Sequence, residues 1–200
     1  MSLPLSSSLL SGPEALGHFA ARYAQLAGVP VDLSYLSRAR VRAFYDSSGH
    51  MIGGYVINDH APFRYLSALP VAPHVLLGDK LADTRECCCI WMEPGLSQWL
   101  RIGIYLRVLV DLSSGGKRYF LGGSLHPGVV RVQRYGLPHM LYEGPAGNDE
   151  HRFHAWVYYG TRSTMWRGAF RRLGPRIRRA LSRRPRPVFK AVVSSDAPQC

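Results

Sequence analysis

Hydrophobic positions along this chain alternate between a helical and a strand period, and the changes of period divide it into elements. Leu16, Phe19, Ala20, Tyr23, Leu26 and Ala27 recur at helical spacing and stop at Gly28, which predicts an amphipathic helix. Ser11-Gly12-Pro13-Glu14 ahead of it reads as a capping box with an early proline. A short second helix follows over Asp32–Arg40, with Asp32 as its N-cap. VRAFYD and MIGGYVIN flank Ser47-Ser48-Gly49 and predict a β-hairpin. Residues 61–82, around PFRYLSALP, form a mixed connection whose elements the pattern does not separate. TRECCCIWM reads as the central strand, dense in residues that tolerate burial on both faces. Pro94-Gly95 ends it, and Gln98–Leu112, apolar on nearly every side, reads as a largely buried helix. Beyond the Ser113–Gly116 break come a strand in KRYFLGGS and a short helix in HPGVVRVQRYG with Pro127 in its first turn. LPHMLYEGP and RFHAWVYYG are two late strands separated by AGNDE. This order calls for an α/β (α+β) domain, a mixed sheet with helices packed on its faces.

Composition narrows the picture. The chain has 200 residues, 46% of them hydrophobic, enough for one domain with a real core. No apolar run reaches the roughly 20 residues needed to span a bilayer; Trp99–Leu112 is interrupted by Arg101, Arg107 and Asp111. The N-terminus lacks the basic and apolar regions of a signal peptide. Cys87, Cys88 and Cys89 are consecutive and the fourth cysteine is Cys200. That spacing suits neither a disulfide framework nor a metal site, and it reads as small buried thiols in a reducing, cytoplasmic setting. The eight histidines are scattered; His151 and His154 lack an evident third ligand, so no metal is expected. The formal charge of +12 is unevenly placed. Residues 162–190 hold eleven Lys and Arg and no acid, whereas residues 1–161 hold fourteen basic against twelve acidic residues, a balance of +2. The division expected is a near-neutral domain over residues 1–161 and an Arg-rich extension over 162–200, and a nucleic-acid-binding body is disfavoured.

From the hairpin onward, the order of elements resembles the GNAT superfamily of N-acyltransferases. FYDSSGHMIGGYVI is similar to the family's early hairpin, TRECCCIWMEPG to its central strand and cofactor-loop exit, and YFLGGS through RYGLPHMLYEG to its fifth strand, fourth helix and sixth strand. The long connection followed by Arg85-Glu86 resembles the branch of autoinducer synthases and long-chain N-acyl-amino-acid synthases. The resemblance implies a GNAT-like central sheet with splayed middle strands and helices on both faces, to which the sequence adds a basic C-terminal helical tail. It also implies acyl-CoA or acyl-phosphopantetheine as a cosubstrate, with no permanently bound cofactor.

The donor's phosphates need clustered backbone N–H groups, which a helix N-terminus supplies. The family signature there, Q/R-x-x-G-x-G/A, is matched at Gln98 and Gly103 in Gln98-Trp99-Leu100-Arg101-Ile102-Gly103, but Arg101 replaces the middle glycine. Arg101 either contacts phosphate itself or excludes the usual pose in favour of a carrier-protein or shifted donor. The resemblance places the pantetheine arm along Ile90, Trp91 and Met92, with a backbone N–H holding the thioester oxygen.

Strand alternation sets Glu86, Cys88, Ile90 and Met92 on one face, and a carboxylate in an apolar strand has its pKa raised toward general-base duty. Glu86 is the first candidate base and Glu93 the second; the competing reading of Glu86 is a salt bridge to Arg85 or another arginine at the strand edge. The family's usual acid, a tyrosine four residues before Gly136, is Val132 here, which leaves Tyr135, Ser124 and His126 as substitutes. An acyl-cysteine at Cys88 ranks below direct transfer, since no Cys–His pairing is readable. An apolar acyl tunnel is expected beside Trp91, Ile104 and Phe120.

In the tail, Trp166, Phe170, Leu173, Ile177 and Leu181 mark one face of a helix whose remainder is arginine, with Pro175 as a kink. Its expected partners are an acidic carrier protein or peptide or an anionic membrane surface. The leading function is acyl transfer to the amine of a small molecule, amino acid or peptide. The alternative is a non-catalytic GNAT-like module that docks an acidic partner, membrane or nucleic acid through the tail.

Overall fold

The computed structural model describes residues 6–147 and 152–182. Its strands are β1 (Ser6–Leu10), β2 (Arg40–Tyr45), β3 (Met51–Asn58), β4 (Thr84–Met92), β5 (Tyr119–Ser124), β6 (His139–Gly147) and β7 (Arg152–Thr161). They form one seven-stranded sheet in the order β1-β2-β3-β4-β5-β7-β6. All pairings are antiparallel except β4 with β5. The helices are α1 (Pro13–Ala27), α2 (Leu33–Ser37), α3 (Arg64–Ser67), α4 (Pro73–Leu77), α5 (Gln98–Ser113), α6 (Pro127–Gln133) and α7 (Arg162–Ser182). The mixed sheet with helices on both faces agrees with the sequence reading.

Two apolar layers sandwich the middle of the sheet. On one face Leu16 and Phe19 of α1 and Tyr35 and Leu36 of α2 pack on Val41, Val56, Cys88 and Trp91. On the other, Ile104, Val108 and Leu112 of α5 pack on Phe44, Ile57, Cys87 and Phe120, and Met165 of α7 joins them. A third cluster sets Phe63, Leu66 and Leu77 against Leu121 and Val157, so the unresolved connection of residues 61–82 becomes α3, α4 and a 3₁₀ segment that cover β5 and β7. Gly54 is required for the first layer: a Cβ there would lie 2.5 Å from the Phe19 ring and 2.6 Å from the Arg42 carbonyl oxygen.

Local expectations are corrected at four places. β1 has no counterpart in the sequence reading, because SSSLL lies on the sheet edge with exposed side chains and shows no apolar alternation. The capping box does not form: Gly12 is the N-cap of α1 and no side chain caps it. Gly12 holds φ 84°, a left-handed value that suits glycine. The second helix is confined to Leu33–Ser37. Finally, α5 is buried on one side only, with Trp99, Leu106 and Val110 exposed, because nothing among the described residues covers its outer face.

Charged groups join the layers. Asp111 of α5 accepts from Arg42 Nε at 2.6 Å and Tyr55 Oη at 2.8 Å and pairs with Arg107 Nε at 3.0 Å. Burial alone would raise its pKa; the Tyr55 and Arg42 hydrogen bonds and the two guanidinium charges outweigh that and hold it below the usual value. Arg85 pairs with Asp59 and donates to the Asp111, Leu112 and Ser114 carbonyls at the C-terminus of α5, where a cation complements the helix dipole. Replacing Asp111 by alanine leaves Arg42 buried without its carboxylate and is expected to cost about 3–5 kcal/mol, read from urea denaturation at neutral pH. With its folded pKa depressed, Asp111 stabilises the fold above its unfolded pKa and stops doing so as pH falls through the folded one. The variant's deficit therefore shrinks in acid.

Candidate active site

β4 and β5 pair over only three positions, Thr84–Tyr119, Arg85–Phe120 and Glu86–Leu121. Beyond Glu86, β4 stays with β3 as far as Met92 while β5 stays with β7 as far as Ser124, so the two strands part. A bulge accompanies the parting. Cys88 opposes Val56 and Trp91 opposes Gly54, which leaves Cys89 and Ile90 against Tyr55 alone, and Cys89 takes φ 51°. The extra residue reverses the alternation. Cys88, Cys89 and Trp91 face α1, whereas Ile90 and Met92 face α5. The expected single face of Glu86, Cys88, Ile90 and Met92 is thereby overturned.

Between the parted strands lies a cleft of about 1190 Å³. Ile90, Trp91 and Met92 of β4 form one wall, Leu121 and Gly122 of β5 the other, and Leu109, Val108 and Met165 the floor. It opens past Gln98, Trp99 and Arg101 at the N-terminus of α5, where Ser97 caps the helix by accepting from the Leu100 amide at 3.3 Å. Arg101 is exposed and its Nε donates to the Leu96 carbonyl at 3.1 Å. Leu100 and Gly103 stand behind this turn, half-buried. The far rim holds Val132, Gln133 and Tyr135 together with Arg172 of α7, whose guanidinium lies 5.1 Å from the Tyr135 ring centre. Gly168 lets α7 approach this closely, since any Cβ there would collide with the Tyr135 carbonyl.

A mixed sheet whose parallel middle strands splay over a helix N-terminus identifies the architecture. The chain has the GNAT fold. The N-acyl amino acid synthase FeeM from uncultured soil microbes superposes with a TM-score of 0.55 at 13% identity, over 81% of this chain and 93% of that one. A Salmonella typhimurium protein described as an acetyltransferase and solved with its cofactor acetyl-CoA gives 0.51 at 12%, over 80% and 94%. The CoA-dependent acyl-homoserine lactone synthase MesI gives 0.50 at 16%, over 79% and 86%. No protein-family model matches the sequence, and no curated protein sequence matches it either.

Within the GNAT frame, Ile90, Trp91, Met92, Gln98, Trp99 and Arg101 come together on the cleft, joined by the buried Ile102. Ile104 and Phe120 do not: neither side chain reaches the cleft, and its apolar passage is lined by Leu109, Leu112 and Leu121 instead. Tyr135 stands on the rim, half-exposed. Ser124 and His126 lie at the end of β5, where the Ser124 hydroxyl accepts from the His126 amide at 3.0 Å. Glu93 reaches the cleft but is held by Arg22 and by His50 Nε2 at 2.8 Å. Tyr105, Gln133 and Arg172 also reach the cleft, and no motif marks them.

Glu86 lies beneath the site on the α1 side and has no exposed surface. Its Oε1 accepts from the Tyr65 amide at 2.8 Å; its Oε2 accepts from the Arg64 amide at 2.8 Å and from the Tyr35 hydroxyl at 2.5 Å. The salt-bridge reading fails, because Arg85 turns to Asp59 on the opposite side. Burial raises the Glu86 pKa, and the hydrogen bonds from Tyr35, Tyr65 and Arg64 offset this only in part. Tyr35 Oη also lies 3.2 Å from Cys88 Sγ. Burial drives the Cys88 thiol well above its ordinary pKa, which counts against a thiolate nucleophile there.

Glu86→Gln turns an amide N–H toward a backbone N–H and is expected to cost about 1–3 kcal/mol. Because the folded pKa of Glu86 is raised, the wild-type chain loses stability as pH climbs from about 4 toward that folded value. The variant lacks this slope, and denaturation curves across that range measure the difference.

Proposed function

We propose that this chain is an N-acyltransferase that moves an acyl group from a thioester donor to an amine. The observation that carries the reading is the cleft between β4 and β5, which runs from apolar walls to the N-terminus of a long helix. The amide groups of the first turn of α5 and the Arg101 guanidinium hold the donor's phosphates. The pantetheine arm lies along Ile90, Trp91 and Met92. The thioester oxygen is met by a main-chain N–H near the Cys89 bulge, where developing negative charge is stabilised.

The amine attacks the thioester carbon directly; the C–N bond forms, the C–S bond breaks, and the thiolate leaves with a proton. The proton lost by the amine passes to the Tyr35 oxygen as the Tyr35 hydroxyl proton passes to the Glu86 carboxylate, which that hydroxyl already touches, so Glu86 acts through Tyr35 rather than by touching the amine. Tyr135, on the cleft rim, is favoured over Ser124 and His126 as proton donor to the thiolate. The donor is an acyl-CoA or an acylated carrier protein. The acetyl-CoA seen with the Salmonella protein and the CoA dependence in the name of MesI favour CoA. A cleft of this size with leucine-rich walls suits a chain longer than acetyl. The acceptor is the amine of a small molecule, an amino acid or a peptide. The open cleft weighs against a non-catalytic module.

Mass spectrometry of the purified chain incubated with a panel of acyl-CoAs, acylated carrier protein and amines is expected to reveal an N-acyl product. Thermal protection by the productive donor should accompany it. No product and no protection by any donor would sink the reading. Arg101→Glu is expected to raise the donor KM about tenfold or more with little effect on kcat. Tyr35→Phe is expected to lower kcat and leave the donor KM unchanged.

A further inference from the structure

The outer face of α5 carries an apolar stripe that nothing in the described structure covers. At 100° per residue, Trp99, Leu106, Val110 and Ser113 fall within an arc of about 60°. Trp99 is 56% exposed, Leu106 37% and Val110 49%. The stripe continues onto α7, because Trp166 Nε1 donates to Ser113 Oγ at 2.9 Å and the Phe170 ring packs 5.9 Å from that of Trp166. Phe170 is 70% exposed. Two helices thus present one contiguous surface of aromatic and branched side chains, an arrangement uncommon on a free surface.

Its surroundings are cationic. Along α7 the arginines from Arg162 to Arg179 meet no acidic residue within the helix. Arg167 and Arg171 are exposed and directly follow Trp166 and Phe170, so both flank that aromatic row on one side. Arg107 is the exception, since Asp111 neutralises it. An apolar centre flanked by arginine is the pattern of a surface that inserts side chains among acyl chains while its cations meet anionic headgroups. A nucleic acid would use the arginines but leave the apolar centre in water, and an acidic protein would need an apolar centre of matching shape, whereas a bilayer accepts a protruding row of side chains of any shape. No described helix is long and apolar enough to cross a membrane, so the contact is peripheral.

We propose that the α5–α7 face is a docking surface for an anionic lipid bilayer, with Trp99, Leu106, Val110 and Phe170 inserted at the headgroup boundary. Trp99 belongs both to this face and to the mouth of the cleft, so docking sets the mouth at the membrane surface. The surface stands whether or not the cleft transfers acyl groups.

Co-sedimentation of the full chain with vesicles decides it. The expected result is binding to vesicles of equal parts phosphatidylglycerol and phosphatidylcholine, at least tenfold weaker binding to phosphatidylcholine alone, and weakening by 0.5 M salt (roughly a 4 Å Debye length). Phe170→Asp and Val110→Asp, each confirmed as folded by its thermal melt, should each reduce binding tenfold or more; Leu106→Ser is a milder second variant for the α5 stripe. Binding to neither vesicle, or binding that both aspartate variants retain, overturns the proposal. So does a stable dimer in solution that Val110→Asp dissociates, since the face would then be covered by a second copy.

Discussion

The carboxylate of Glu86 and its three donors are the contact around which this fold is arranged. Two of the donors are the backbone amides of Arg64 and Tyr65, so the group fixes the start of α3 against the central strand. α3 in turn places the Tyr65 ring so near β5 that a Cβ on Gly123 would lie 2.8 Å from it. The last pair of the parallel ladder is Glu86 with Leu121, and the ring sits just beyond it. A buried carboxylate left without such partners would cost several kcal/mol. With them it acts as a staple at the point where the strands diverge, and the opening of the cleft follows from what is pinned below it.

The opposite layer is held by charge as well as by apolar contact. Asp111 draws α5 onto β2 and β3 through Arg42 and Tyr55, and Arg85 reaches from β4 to the carbonyls that end the helix. Both ends of the long helix are thereby defined: Ser97 caps the end that faces the cleft mouth, and an arginine satisfies the buried end. The basic surplus of the sequence then divides in two. Arg42 and Arg85 are structural and neutralised, whereas the arginines of α7 have no acidic neighbours within their helix.

The sequence made the middle of the fold legible because its signals are local. The central strand, the Gln98 helix start and the late strands all follow from runs of one period bounded by Pro and Gly. β1 escaped because an edge strand with exposed serines has no alternation to read. The bulge escaped because one inserted residue changes the parity of everything after it, and nothing in Cys87-Cys88-Cys89 says which cysteine is the extra one. Glu86 was recognisable as a carboxylate inside an apolar strand. Its partners were not, since Tyr35 and the amides of residues 64 and 65 come from segments without a motif. The Arg85–Glu86 pair, however, was excluded by alternation itself, because neighbours on a strand face opposite sides. The cleft rim from α7 was hidden by composition: an arginine-rich stretch reads as an appendage, yet Met165 lies in the same core as Ile104 and Phe120.

Gly168 makes that last point mechanical. The backbone of α7 lies directly against the Tyr135 carbonyl, with no side chain between them. A side chain at position 168 would have to push the helix off the rim that holds Tyr135 and Arg172, so a single missing carbon defines both the seat of the outer helix and the edge of the opening.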